Sequence, residues 1–193
     1  MQSVEFMPGI QLCRRFYWEA VRPLLDRHFP DLPHAAALIG YGSEVLGFDT
    51  PMSMDHNWYP RAILCLDEVV ANQAEAVRVM LSQNLPHLFL GFPVDASPAP
   101  EEPGTYLMGI KEGGPVDHRI TLTTLRKFVQ EQLDWDIRDP LEPADWLSFS
   151  AQSLLEMTAG EVFYDGTGEL TRLRQRMAWY PRDIWLYLLA SGW

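Results

Sequence analysis

The run "HAAALIGYG" (34–42) constrains this chain more than any other stretch. Five consecutive apolar residues stopped by glycine read as a short buried strand rather than a helix. A second apolar run, "NWYPRAILCL" (57–66), reads as the next strand, with Pro60 demoting its first half to an edge or a bulge. Between them lies "GYGSEVLGFDTPMSMDHNWYP" (40–60), which holds two glycines around a serine and then an Asp-His-Asn triplet.

The remaining elements follow from periodicity. Leu12, Phe16, Tyr17, Val21, Leu24 and Leu25 recur at helical spacing between Pro8-Gly9 and Phe29-Pro30. Asp67 caps a helix with the stripe Val70, Ala74, Val77 and Leu81. "GFPVDASPAPEEPG" (91–104) has four prolines and no periodicity, so it is a loop, either a lid or a mobile surface segment. "VDHRITLTT" (116–124) is a third strand, with Thr123 or Thr124 capping the helix "LRKFVQEQLDW". The rest reads as helices, with Pro143 and Pro181 in first turns and Gly160, Gly166 and Gly168 as breaks. The fold class is α/β (α+β): a small mixed sheet flanked by helices over 1–124, and a helical C-terminal third over 125–193.

A length of 193 residues suits one domain, or one with a short appendage. The formal net charge of −11 repels nucleic-acid phosphates and anionic membranes, which argues against a broad nucleic-acid surface but permits a small anion held by a local cluster. Cys13 and Cys65 lack CxxC spacing and read as small buried apolar residues in a reducing compartment. The N-terminus lacks the apolar core of a signal peptide, and no run reaches the roughly 18 apolar residues of a membrane span. The expectation is a soluble, cytoplasmic protein.

The chemistry concentrates after the first strand. A glycine before Ser43 lets a phosphate approach the backbone, and a short helical stretch from Glu44 to Gly47 would offer amides to an anion. On its own this signature reads as a plain turn without ligand. Asp55 and Asn57, two apart on the expected second strand, would project to one face and share a Mg²⁺. His56 would face away as a structural histidine. Glu44 and Asp49 read as helix-start and turn residues.

The pattern Gly42-Ser43 … Gly47 … Asp55-His56-Asn57 resembles the nucleotidyltransferase superfamily, whose signature is Gly-Ser, a short helix, then Asp-x-Asp on the following strand. Longer stretches, among them "FMPGIQLCRRFYWEAVRPLL" and "DPLEPADWLSFSAQSLLEMTAGEVFYDGTGEL", are similar to a little-characterised branch of it known as a domain of unknown function. The resemblance implies a nucleotidyltransferase-like fold, NTP (most readily ATP) and Mg²⁺ as cofactors, and transfer of NMP to a small-molecule or protein hydroxyl. It assigns Gly42 and Ser43 to phosphate contact, Asp55 to catalysis and the first metal position, and Asn57 to the second metal position. Asn57 lacks the charge of the family's carboxylate. Asp117 is the candidate for a third, catalytic carboxylate; its other reading is a solvated turn residue. Arg61 either neutralises phosphate or makes an ion pair.

Two functional readings therefore stand: a Mg²⁺-dependent nucleotidyltransferase, or a degenerate member that binds a nucleotide or partner without transfer. The chain ends in the apolar run "YPRDIWLYLLASGW"; the resemblance implies that this helix continues into a further helical segment, so the chain reads as either truncated or naturally short. It would pack on the helical third or build a homodimer.

Overall fold

A computed structural model describes residues 5–55, 58–98, 106–108 and 113–192, with the backbone alone at Asp55, 96–98 and 106–108. The first helical segment is α1 (Gly9–Phe16), a π-helical turn (Tyr17–Val21) and α2 (Arg22–His28). The widened turn has a cause in the sequence. Pro23 sits in the first turn of α2, lacks an N–H and crowds the carbonyl four residues back, so the helix opens by one residue just before it. Phe16, Val21 and Leu25 stay in register with the core because the spacing stretches from four to five across that turn.

Next come β1 (His34–Leu38), a 3₁₀ turn (Pro51–Asp55) and β2 (Arg61–Leu66). A 3₁₀ stretch (Glu68–Gln73), capped by the Asp67 carboxylate accepting the Val69 amide at 2.9 Å, leads into α3 (Ala74–Asn84), so the expected cap acts on the 3₁₀ stretch that carries Val70 and not on the α-helix itself. Two short hairpins follow, β3 (Leu88–Phe89) with β4 (Phe92–Pro93), and β5 (Ala96–Pro98) with β6 (Tyr106–Met108). The proline-rich segment expected as a loop is therefore partly strand. Residues 99–104 of that segment lie outside the described residues.

The chain closes with β7 (Arg119–Thr124), α4 (Leu125–Leu133), α5 (Pro143–Ser148), α6 (Ala151–Thr158), β8 (Glu161–Asp165), α7 (Glu169–Met177) and α8 (Arg182–Ser191). Thr124, rather than Thr123, caps α4 by accepting the Lys127 amide at 3.2 Å. Pro143 occupies a first turn as expected, whereas Pro181 stands one residue before α8. The C-terminal third is mostly helical but also supplies a strand, β8, that its pattern did not announce.

The main sheet has the order β7-β2-β1-β8. β1 is antiparallel to both β2 and β8, and β2 is parallel to β7 with Arg61 opposite Arg119. Side chains alternate across it. Ala36, Leu38, Leu64 and Leu66 meet α1, the π turn and α3, while Ala35, Ala37, Ile63 and Cys65 meet α4 through α8. The three alanines of β1 keep both faces low enough for helices to close over them. The sheet is thus covered on both sides, and the end of β1 and the starts of β2, β7 and β8 share one edge.

At the C-terminus Ile184 is buried and Leu188 packs against the second core, while Trp185, Leu186, Tyr187 and Leu189 remain exposed. No helix among the described residues is long and apolar enough to cross a membrane.

Candidate functional site

The end of β1 runs into Gly40, Tyr41 and Gly42. The segment from Glu44 to Gly47 forms a hydrogen-bonded turn rather than the expected helical stretch, with Val45 N–H on Gly42 O at 3.2 Å and Gly47 N–H on Glu44 O at 3.4 Å. Phe48 N–H on Ser43 O closes it at 2.8 Å. Two outside contacts fix the turn in place. Gly160 donates its N–H to Val45 O at 3.0 Å, and Gly40 donates to Glu156 O at 2.9 Å. Gly160 has φ near 70°, and a Cβ there would lie 2.1 Å from the Leu38 carbonyl oxygen, so only glycine permits this approach.

Arg61, the first residue of β2, fills the space beneath the turn. It donates from Nε to Glu44 Oε1 at 3.0 Å, and from Nη2 to Glu44 Oε1 at 2.5 Å and to the Tyr41 carbonyl at 2.6 Å. Its guanidinium also lies over the Tyr41 ring, 4.8 Å from the centroid. Of the two sequence readings of Arg61, the ion pair is realised, and Glu44 is its partner rather than a mere helix-start residue. Burial works against the charge, but Glu44 outweighs it and holds the guanidinium above its ordinary pKa.

The glycine of the Gly-Ser signature now has a local reason. Gly42 has φ near 132°, and a Cβ there would meet Arg61 Nη2 at 2.5 Å. Ser43 beside it is exposed. Asp49 accepts the Gly9 amide at 2.8 Å, so the far end of the same loop caps α1.

A cavity of about 170 Å³ opens here, lined among others by Leu38, Tyr41, Tyr59, Arg61, Arg119 and Thr121. Arg61 and Arg119 reach it together because they are register partners on parallel neighbours. Alternation along 116–124 puts Arg119 on one strand face with Asp117 and Thr121 but gives it no role; the pairing with Arg61 does. His118 also lines the cavity, but its role is structural: Nε2–H faces the Arg78 carbonyl at 3.2 Å and Nδ1 accepts the Ile120 amide at 3.2 Å. Burial holds it below the usual histidine pKa.

The expected metal residues are placed differently. Asp55 closes the 3₁₀ turn, and β2 begins only at Arg61, so Asp55 does not stand on that strand. Its side chain, together with His56 and Asn57, lies outside the described residues. Asp117 precedes β7 instead of standing on it, with its half-exposed carboxylate 3.6 Å from Arg119 Nη2. Its backbone amide donates to Asp95 Oδ2 at 3.1 Å, and Asp95 is a deeply buried carboxylate in the segment that had read as a loop. Among the described residues no group of His, Cys, Asp and Glu gathers to hold a metal ion. The two guanidiniums that do line the cavity, Arg61 and Arg119, are donors suited to an anion.

Cys13 and Cys65 are buried and unpaired, and burial pushes both thiols up to about 12. Neither is a nucleophile at neutral pH.

The model of a family described as a domain of unknown function (DUF4037) matches residues 146–193. No curated protein and no solved structure matches the chain. The matched segment runs from α5 through α8 and includes Gly160, whose N–H holds the turn that carries Ser43.

Proposed function

We propose that this chain is a nucleotidyltransferase-like protein that binds a nucleoside triphosphate, ATP most readily, through its outer phosphates at the Gly42–Ser43 turn. The observation that carries the reading is the pairing of Arg61 and Arg119 on one small cavity that is also lined by Tyr41, the residue before that turn. Guanidinium groups offer planar pairs of N–H donors that match phosphate oxygens, and partial burial strengthens the attraction. Ser43 adds a hydroxyl that is free of the core. Arg61 is preset by Glu44, which limits its net charge but fixes its direction.

In this reading the protein passes NMP to a small-molecule or protein hydroxyl, and its contribution is positioning and charge stabilisation. Mg²⁺ would sit on Asp55 and Asn57 and supply further neutralisation of the phosphates. One carboxylate and one amide form a weak donor set for that ion, so the arginines carry more of the phosphate charge.

The second reading is binding without transfer. Asp117 favours it, because a carboxylate beside Arg119 and ahead of the strand is poorly set to take a proton from an acceptor hydroxyl. The two readings share the phosphate site. A preference for triphosphate over monophosphate in calorimetry supports both, and nucleotide incorporation into an acceptor separates them.

A further inference from the structure

We infer that Tyr41 is the platform on which the base of the bound nucleotide stacks, an assignment that rests on the triphosphate reading of the cavity. Tyr41 is the residue immediately before the Gly42–Ser43 turn, and its side chain lines the same cavity as Arg61 and Arg119. One side of its ring is occupied by the Arg61 guanidinium at 4.8 Å, while the residue as a whole is 70% exposed. The ring is therefore anchored without being buried.

The anchoring is unusually complete for a surface aromatic. Arg61 is tied to Glu44 through two nitrogens and donates to the backbone carbonyl of Tyr41 itself. A ring backed by a fixed cation has already lost much of its rotamer freedom, so a second flat group can stack on it at little entropic cost. The core gains nothing from a tyrosine here; a ligand with a π-face does. Phe48, whose amide closes the same turn on the Ser43 carbonyl, is 74% exposed, so an exposed aromatic residue stands in the chain at each end of the turn. The ligand that suits both halves is one with a polyphosphate at one end and an aromatic ring at the other. Stacking reads no hydrogen-bonding edge, so any base is accepted and the larger purine rings gain most.

The test is calorimetry of ATP and of inorganic tripolyphosphate against wild type, Tyr41→Ala and Tyr41→Phe, each first checked for an unchanged thermal melt. The expected result is that wild type binds ATP more tightly than tripolyphosphate. Tyr41→Ala loses about tenfold toward ATP, the effect of one base–aromatic stack, and is unchanged toward tripolyphosphate, while Tyr41→Phe behaves as wild type. Tripolyphosphate bound as tightly as ATP, with Tyr41→Ala indifferent, overturns the platform and leaves the phosphate site standing. An equal loss toward both ligands in Tyr41→Ala also overturns it, because the ring then serves only to hold Arg61. Failure of wild type to bind either ligand removes the triphosphate reading, and the platform with it.

Discussion

A Cβ on residue 42 would stand 2.5 Å from Nη2 of Arg61, so the glycine of the Gly-Ser turn and the arginine that opens β2 are sterically matched. The glycine that looked like a phosphate-approach device makes room first for an ion pair, Arg61–Glu44, whose side chains are only 12% and 14% exposed. That pair fixes one wall of the cavity and the backbone of Tyr41. The turn and the arginine act as one unit, which leads to the first expectation.

Gly42→Ala places a side chain at φ near 132° and against Arg61. The strain costs roughly 2 kcal/mol, and relief requires Arg61 to leave Glu44. Denaturant unfolding should show that loss, and anion affinity should fall with it. A variant as stable as wild type contradicts the matched packing.

Glu44→Gln keeps an oxygen acceptor for Arg61 but removes the charge. Stability should drop by about 1–3 kcal/mol, since a largely buried guanidinium loses its counter-charge. Triphosphate binding should tighten by roughly 1 kcal/mol, because a carboxylate no longer competes with phosphate for Arg61. Weaker binding in a folded variant would mean that Glu44 contacts the ligand favourably, against the present assignment.

Stability should also fall as pH drops below the ordinary histidine value. His34 donates from Nδ1 to the Leu32 carbonyl at 2.8 Å and takes the Tyr17 hydroxyl on Nε2 at 3.0 Å, a pairing that requires the neutral ring. Burial holds both His34 and His118 below the 6.5 of an unhindered histidine. The unfolded chain therefore takes up protons first, so stability is full above 6.5 and lost below it, at up to about 1.4 kcal/mol per pH unit for each group. Asp136, held well below the usual carboxylate range by Arg138 and Arg126, stays ionised through this window. NMR titration of the two imidazoles gives the check, and midpoints above 6.5 would reverse the sign.

Much of this was legible in the amino-acid order. The apolar runs that became β1 and β2, the Asp67 cap, a threonine cap at 123 or 124 and the Gly42–Ser43 turn all announce themselves locally. Arg119 does not, because its place beside Arg61 exists only once β2 and β7 pair in parallel, a long-range event without a spacing signature. β8 was hidden for a related reason: Gly160 and Gly166 read as breaks between helices, and five residues are too few for alternation to declare a strand. The position of Asp55 failed on Pro60, which delays the start of β2 to Arg61 and leaves Asp55 in a 3₁₀ turn. Asp95 was masked by the prolines around it, which speak for a loop although the carboxylate is buried.

The central claim is that the Gly42–Ser43 turn addresses the outer phosphates of a nucleotide. Calorimetry of ATP and AMP against wild type and Ser43→Ala tests it most directly. Ser43 is exposed, so its removal should leave the melting temperature unchanged. The account predicts that ATP binds more tightly than AMP, and that Ser43→Ala weakens ATP by roughly 1–2 kcal/mol while hardly touching AMP, as expected for one hydrogen bond to a charged oxygen. Equal affinity for ATP and AMP, or an ATP isotherm unchanged by Ser43→Ala, would contradict it.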